Sequence, residues 1–156
     1  MVELRLIKIG EDAPNFRLKD QFDQEISLSN FKGKKVLLSF HPLAWTSVCR
    51  EQMLSIENNY KVFEDNATIP LGVSVDSTPS KKAWSDEMGL KNLKLISDFW
   101  PHGEISKKYE NFIDRLGFSG RANILIDENG KIVWAKLYPI KALPDINEVL
   151  DAIKKK

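Results

Sequence analysis

Cys49 is the only cysteine among 156 residues, and it follows the segment Pro42-Leu43-Ala44-Trp45-Thr46-Ser47-Val48. This segment comes directly after the apolar run Val36-Leu37-Leu38-Ser39-Phe40, which predicts a strand, a short turn and a helix with sulfur in its first turn. Unpaired N–H groups and the helix dipole at such a position favour the thiolate, the nucleophilic form of cysteine. A lone cysteine is more often an inert buried side chain. The neighbours of Cys49 therefore decide whether it does chemistry.

The elements that must position Cys49 can be predicted from hydrophobic periodicity and turn residues. Residues 16–19 and 26–28 alternate on either side of an Asp23-Gln24 turn, which predicts a small N-terminal hairpin. By the same reasoning the chain continues with a buried strand over residues 35–40, a helix over 48–66, a strand over 69–75, a helix ending near 88–89 and a strand over 93–96.

The rest of the chain is predicted to end in a hairpin and a helix. Asp127-Glu128-Asn129-Gly130 is a turn signal between apolar runs at residues 122–126 and 132–137. Helices are predicted over residues 104–112 and 144–155, with a glycine-containing break at 117–120. This order is typical of an α/β sandwich in which helices flank a mixed central sheet. The length fits one domain over residues 1–156.

Composition excludes several function classes. The net charge is only +1, from 23 basic and 22 acidic residues that are interspersed, so we expect no nucleic-acid partner. No run approaches the ~18 apolar residues that cross a bilayer, and residues 1–6 do not resemble a signal peptide. We therefore expect a cytoplasmic protein without a membrane partner. One cysteine allows no internal disulfide, which agrees with a reducing compartment.

Familiar cofactor and metal motifs are missing from the sequence. There is no Cys-x-x-Cys pair, as a dithiol oxidoreductase would need, and no glycine-rich phosphate loop. The two histidines, His41 and His102, have no zinc-site spacing to each other or to other ligands. We expect no cofactor and no metal.

What remains is the pattern Pro42-x-x-x-Thr46-x-x-Cys49, which resembles the signature of the peroxiredoxins. The resemblance extends over nearly the whole chain. The matching segments are Gly10-x-x-Ala13-Pro14-x-Phe16-x-Leu18, Phe31-x-Gly33-Lys34, Val73-x-Val75-Asp76 and residues 95–103. The last of these, together with Trp84, is most similar to the one-cysteine alkyl hydroperoxide reductase E branch. The resemblance implies a thioredoxin-like fold with the peroxiredoxin elaboration.

The resemblance also implies roles for individual residues. Cys49 would attack a peroxide oxygen, and Arg121, at the position of the family's active-site arginine, would stabilise the thiolate and the charge that spreads along the breaking bond. Thr46 would bond sulfur and peroxide, Pro42 would shield the thiol, and the N–H groups of Val48 and Cys49 would bind peroxide oxygens. Alternatively, Thr46 is only a helix cap, Pro42 only ends a strand and Arg121 lies on the surface.

Three residues depart from the family's pattern. Trp45 replaces the commoner phenylalanine or aspartate, and we interpret it as a hydrophobic wall. His41 stands where relatives usually have an aromatic residue, and we interpret it as a packed ring, although a titrating neighbour of Cys49 is the alternative. Gln52 occupies a position where the family often has glutamate, with Glu51 beside it. The substitution puts the supporting contact between arginine and a carboxylate in doubt.

The predicted function is a thiol-dependent peroxidase that reduces hydrogen peroxide and alkyl hydroperoxides through a Cys49 sulfenic acid. No resolving cysteine is present, so the resemblance implies recycling by an external thiol of the thioredoxin, glutaredoxin or low-molecular-weight type. It also implies a homodimer or a higher homo-oligomer. One rival is a peroxide sensor or redox relay that passes its oxidation to a partner protein. Another is a thioredoxin-like binding module with a thiol of ordinary reactivity.

Overall fold

A computed structural model describes residues 5–155. Residues 1–4 and Lys156, which the single-domain prediction also includes, lie outside the described residues. In chain order the elements are β1 (Arg17–Lys19), β2 (Glu25–Ser27), a 3-10 helix (Leu28–Phe31), β3 (Lys35–Phe40), α1 (Ser47–Asn58), α2 (Tyr60–Asp65), β4 (Thr68–Ser74), α3 (Thr78–Met88), β5 (Lys94–Ser97), α4 (Glu104–Lys108), β6 (Phe112–Ile113), β7 (Phe118–Ser119), β8 (Arg121–Ile126), β9 (Ile132–Tyr138) and α5 (Ile146–Lys154). Within residues 5–155, no helix combines the length and apolarity needed to cross a bilayer.

The centre of the fold is a five-stranded mixed sheet in the order β5-β4-β3-β8-β9. β3, β4 and β5 run parallel, whereas β8 pairs antiparallel with β3 and with β9. The parallel strands are joined through helices, as parallel pairs require, and the antiparallel pair is closed by the short turn at residues 127–130. The predicted α/β architecture with a mixed central sheet is confirmed.

Both faces of this sheet are covered. Alternate side chains of a strand point to opposite faces, so Leu38 and Leu37 belong to two different hydrophobic clusters. One cluster packs the sheet against the β1-β2 pair and α4, through residues that include Phe16, Leu18, Ile26 and Ile105. The other packs it against α1, α2, α3 and α5, through residues that include Met53, Phe63, Trp84 and Val149. Burial on both faces explains why the central strands are continuously apolar.

Gly72 shows how closely α1 approaches the sheet. A Cβ atom built on Gly72 would lie 2.5 Å from Met53 Sδ and 2.9 Å from Leu95 Cδ2. A side chain at Gly72 would have to push Met53 and Leu95 aside, because such distances fall well inside van der Waals contact. The absence of a side chain at Gly72 therefore lets α1, which carries Cys49, pack directly on the strands.

The two predicted hairpins are confirmed, and each turn is held by an aspartate. Asp20 Oδ1 accepts hydrogen bonds from the N–H groups of Phe22 and Gln24, between β1 and β2. Asp127 Oδ1 accepts hydrogen bonds from the N–H groups of Asn129 and Lys131, between β8 and β9. Aspartate is common in turns because its carboxylate can replace a backbone acceptor.

The helix predicted over residues 48–66 is wrong as one element, because it is two helices separated at Asn59. The side-chain Nδ2 of Asn59 donates to the carbonyl of Ser55 at 2.7 Å. That carbonyl is the one that the backbone N–H of Asn59 would use in a continuous helix, and the N–H instead bonds to Ile56. Competition between an asparagine side chain and the backbone explains the break.

The helix predicted over residues 104–112 is wrong at its C-terminal end, since α4 stops at Lys108. Glu110 adopts φ 57°, a left-handed conformation that ends a right-handed helix. The chain then enters β6, which pairs with β7, and β7 lies inside the glycine-containing segment 117–120 expected only as a break. Asn111 fixes this small pair, because its Nδ2 donates to the carbonyl of Gly120 at 3.1 Å.

Candidate active site

The fold places Cys49 at the start of α1, directly beyond the carboxyl end of β3. Thr46 is the N-cap residue, with the extended φ and ψ values of −99° and 151°. Trp45 adopts φ 71°, which reverses the chain between β3 and α1. The N–H of Ala44 donates to Asp76 Oδ2 at 2.8 Å and anchors this turn to the end of β4. No described side chain caps the helix start, so the dipole end of α1 faces the site without a competing acceptor.

Strand register brings Arg121 to the same place. In the antiparallel pair of β3 and β8, Ser39 lies opposite Asn123 and Phe40 opposite Ala122. The next position along β8 is Arg121, which therefore shares the face of Ser39 and not that of Phe40. That face is the one on which α1 packs, so the guanidinium reaches the first turn of the helix.

Cys49, Arg121 and Gln52 form one buried network. Arg121 Nη1 donates to Cys49 Sγ at 3.3 Å and to Gln52 Oε1 at 2.8 Å. Arg121 Nε donates to the carbonyl of Ile140 at 2.9 Å, so hydrogen bonds hold the guanidinium group on two sides. Cys49 is 0% exposed and Arg121 is 2% exposed. A guanidinium donor thus faces the sulfur inside a buried site.

Gln52 supplies the contact that the sequence put in doubt. Its amide oxygen accepts from Arg121, and its Nε2 donates to Ser39 Oγ at 2.7 Å and to the carbonyl of Phe40 at 3.2 Å. The side chain is 1% exposed, and it is on α1 one turn after Cys49. A neutral amide therefore orients the guanidinium here, without adding a negative charge beside the sulfur.

A pocket of about 250 Å³ opens in front of this network. Its lining contains Pro42, Leu43, Thr46, Ser47, Val48, Phe118, Arg121, Ile140 and Lys141. Four of the five residues predicted for the site thus line one pocket, and the fifth, Cys49, contacts the Arg121 that lines it. A small, mostly apolar pocket that ends at a guanidinium and a helix start suits a small molecule with polar oxygens.

The threonine hydroxyl has a defined partner in the structure. Thr46 Oγ1 donates to the carbonyl of Leu43 at 2.9 Å, and it makes no side-chain cap to the helix. The oxygen keeps its lone pairs for a donor in the pocket, because a hydroxyl both donates and accepts. Pro42 is buried and lines the same pocket directly after β3.

His41 is a packed ring that stays neutral. It is 0% exposed, its ring lies 5.5 Å from that of Trp84, and Nδ1 is 3.4 Å from the carbonyl of Ser39. Burial holds the pKa of His41 well below its usual value, and the nearby charges of Lys81 and Arg121 lower that pKa further. Lys81 is also fully buried, although its place in an amphipathic helix did not single it out in the sequence.

Across residues 5–155, no group of three or more His, Cys, Asp or Glu side chains is arranged to hold a metal ion. What the residues around Cys49 can do is hold a negative charge on sulfur and on an adjacent oxygen, which is the requirement of nucleophilic attack on a polar bond.

Comparison with known proteins identifies the family of this chain. The profile of the AhpC/TSA family matches residues 9–135. Alkyl hydroperoxide reductase E of Mycobacterium tuberculosis is 35% identical over 133 residues, which cover 85% of this chain and 86% of the relative. The mitochondrial thioredoxin-dependent peroxide reductase of Drosophila melanogaster is 34% identical, covering 97% of this chain and 68% of the relative.

A solved structure confirms the fold. The reduced 2-Cys peroxiredoxin of Plasmodium vivax superposes with a TM-score of 0.84 at 31% identity, covering 93% of this chain and 79% of that one. The predicted thioredoxin-like fold in its peroxiredoxin form is thus confirmed. By profile, sequence and structure, the chain belongs to the AhpC/TSA family of thiol-dependent peroxidases, the peroxiredoxins.

Proposed function

We propose that Cys49 is the nucleophile that reduces hydrogen peroxide and alkyl hydroperoxides in this chain. The thiolate attacks one peroxide oxygen, an S–O bond forms as the O–O bond breaks, and the leaving oxygen takes a proton to become water or an alcohol. Sulfur is oxidised to a sulfenic acid and the peroxide is reduced. The observation that carries the proposal is the hydrogen bond of 3.3 Å from Arg121 to Cys49 Sγ, between two buried side chains.

The proposed roles of the other residues follow from where they lie. Arg121 stabilises the thiolate and the negative charge that develops on the leaving oxygen, at no cost in reorganisation because Gln52 and Ile140 already hold it. Thr46 and the N–H groups of Val48 and Cys49 bind the peroxide at the helix start. Pro42 limits access of water to the sulfur, since it is buried at the pocket wall and has no N–H.

The second half of the proposed cycle uses an external thiol. The chain has one cysteine, so the sulfenic acid cannot close an internal disulfide. A thiolate from a thioredoxin-type protein, a glutaredoxin-type protein or a low-molecular-weight thiol attacks the sulfenic sulfur, releases water and leaves a mixed disulfide that a second thiol reduces. A cytoplasmic setting suits this scheme because its thiols are kept reduced.

Peroxide consumption with each class of reductant tests the proposed function. Wild-type protein is mixed with hydrogen peroxide or an organic hydroperoxide and one reductant, with Cys49→Ser as the control. We expect peroxide to disappear catalytically with at least one reductant and only at background with the serine variant. If no peroxide is consumed and mass spectrometry finds no oxygen added at Cys49, the peroxidase proposal is wrong.

The same experiment separates turnover from signalling. A peroxide sensor or relay also oxidises at Cys49, but it passes the oxidation to one partner protein and does not turn over with general reductants. The single cysteine allows this alternative, because an oxidised sulfur without an internal partner persists until another thiol arrives. Stoichiometric oxidation with no turnover, together with a trapped mixed disulfide to a protein, would identify the sensor.

A homodimer or a higher homo-oligomer is part of the proposal, and it rests on the family resemblance. Several large side chains near the turn before α1 and the segment after β5 are exposed, namely Trp45, Phe99 and Trp100. Light scattering of the purified protein measures the assembly. A monomer at all concentrations would remove this part of the proposal.

A further inference from the structure

Lys81 is a buried cation that the proposed chemistry leaves without a role. It lies on the inward face of α3 together with Trp84, Ser85 and Met88, and it is 0% exposed. Its Nζ atom makes no hydrogen bond within the described residues and takes part in none of their ion pairs. A lysine in such a place is costly, because the ammonium loses its hydration without gaining a donor–acceptor contact.

The charged groups that act on Lys81 come from several elements of the fold. They are the Cys49 sulfur on α1, Asp76 after β4 and Asp98 after β5. His41, after β3, feels the charges of both Lys81 and Arg121 and is itself neutral, as described above. Burial lowers the pKa of Lys81 to about 8, and the three negative groups oppose that change. The charge of Lys81 therefore depends on the groups that surround it.

The two carboxylates near Lys81 are already occupied by neutral donors. Asp76 Oδ2 accepts from the N–H of Ala44 at 2.8 Å and from Ser74 Oγ at 2.6 Å. Asp98 accepts from the N–H groups of Ile105 and Ser106 at 2.9 and 3.0 Å and from Ser106 Oγ at 2.8 Å. These bonds hold both carboxylates in the turns that they shape. Neither carboxylate forms an ion pair with Lys81 that would neutralise the ammonium charge.

The sheet order places the two buried cations on different sides of the sulfur. Arg121 belongs to β8, on one side of β3, whereas α3 follows β4 and packs against β5, on the other side. α1 begins just beyond the end of β3, so Cys49 lies between them. Trp84, one turn after Lys81 in α3, shares a hydrophobic cluster with Cys49. Arg121 and the helix that carries Lys81 thus flank the start of α1, and both cations are buried where little water screens their charge.

We propose that Lys81 is a positioning residue that acts with Arg121 to stabilise the Cys49 thiolate from the α3 side. The inference rests on the proposed function, in which the thiolate is the reactive form. It has a reciprocal consequence, because coupling between two charges acts equally on both. When Cys49 becomes a neutral sulfenic acid, Lys81 loses one of the negative charges that help to keep it protonated.

Alkylation of Cys49 by iodoacetamide across a range of pH tests the proposal without any peroxide. Lys81→Met removes the charge and keeps an unbranched apolar side chain, and we expect the midpoint of the alkylation profile to rise by about one pH unit. Lys81→Arg keeps a cation at this position, so its alkylation midpoint should lie close to that of the wild type. Lys82→Met is the matched control, because Lys82 is the next residue, is partly exposed and pairs with Asp86. It should leave the profile unchanged.

An unchanged midpoint in folded Lys81→Met would overturn the proposal, and so would the same shift in Lys82→Met. Should Lys81→Met fail to fold, NMR of the lysine amino groups in wild-type protein and in Cys49→Ser decides the matter. We expect a lower Lys81 pKa in Cys49→Ser, and equal values would overturn the proposal. Alkylation needs no peroxide, so it tests Lys81 independently of the proposed function. If Lys81→Met shifts the alkylation midpoint but wild-type protein does not react with peroxide, the proposed function is refuted and the role of Lys81 stands.

Discussion

Gln52→Met tests whether the amide that holds Arg121 matters for both stability and chemistry. Methionine has a similar length and no branch, so it can occupy the same space in the core. It removes one acceptor for Arg121 Nη1 and the two hydrogen bonds from Nε2 to Ser39 and Phe40. Because Gln52 is 1% exposed, water cannot readily replace these partners.

The expected loss of stability follows from these three hydrogen bonds. A neutral hydrogen bond contributes about 1 kcal/mol net and one to a charged group about 2 kcal/mol, and partners left buried cost more. Part of this cost is offset by the apolar side chain. We expect Gln52→Met to lower the free energy of unfolding by about 3 kcal/mol.

The effect on oxidation should be smaller than that of removing the guanidinium. Arg121 keeps its bond to Ile140 but loses the amide that sets the direction of Nη1 toward the sulfur. Misdirection of a positioned donor lowers a rate by about tenfold or more. We therefore expect peroxide to oxidise Cys49 about tenfold more slowly in Gln52→Met.

Urea unfolding followed by tryptophan fluorescence measures the first effect, and stopped-flow oxidation by hydrogen peroxide measures the second. Glu51→Met is the matched control, because Glu51 is the preceding residue on α1 and is exposed. It should change neither quantity appreciably. A loss of less than about 1 kcal/mol together with an unchanged oxidation rate would refute the claim that Gln52 holds Arg121 in place.

Two further predictions concern His41 and Thr46. The pKa of His41 is depressed in the fold, so below about pH 6.5 the unfolded chain binds a proton that the folded chain does not. The free energy of unfolding of the wild type therefore falls as pH falls, by at most about 1.4 kcal/mol per pH unit. His41→Phe should lack this component in urea unfolding between pH 7 and pH 5, and parallel profiles would contradict it. Thr46→Val should slow peroxide oxidation by about tenfold and Thr46→Ser should not, because only valine removes the hydroxyl; equal rates would exclude Thr46 from peroxide binding.

Much of the fold could be predicted from the sequence because its local and tertiary preferences agree. The central strands are apolar throughout, since both sheet faces are covered, and the 127–130 turn carries the residues that its geometry requires. The break at Asn59 could not be predicted from apolar spacing, because a side chain competing for one backbone carbonyl decides it. The β6-β7 pair depends on the tertiary contact between Asn111 and Gly120, which local propensity does not contain.

The site shows a similar division. The spacing of Pro42, Thr46 and Cys49 lies within one turn and one helix start, so sequence alone could group them. The contact of Arg121 with the sulfur depends on the register of a strand 72 residues further along the chain. From the sequence, this contact could be expected only through the family resemblance. Lys81 could not be predicted, because a lysine in an amphipathic helix is ordinarily exposed and its burial becomes visible only when α3 is packed.

The most direct test of the central claim is the second-order rate constant for oxidation of Cys49 by hydrogen peroxide in wild type and in Arg121→Met. Stopped-flow fluorescence can follow the reaction, because buried Trp84 shares a hydrophobic cluster with Cys49. We predict that wild type reacts far faster than free cysteine and that Arg121→Met is at least ~100-fold slower. A wild-type thiol that reacts no faster than free cysteine would contradict the account.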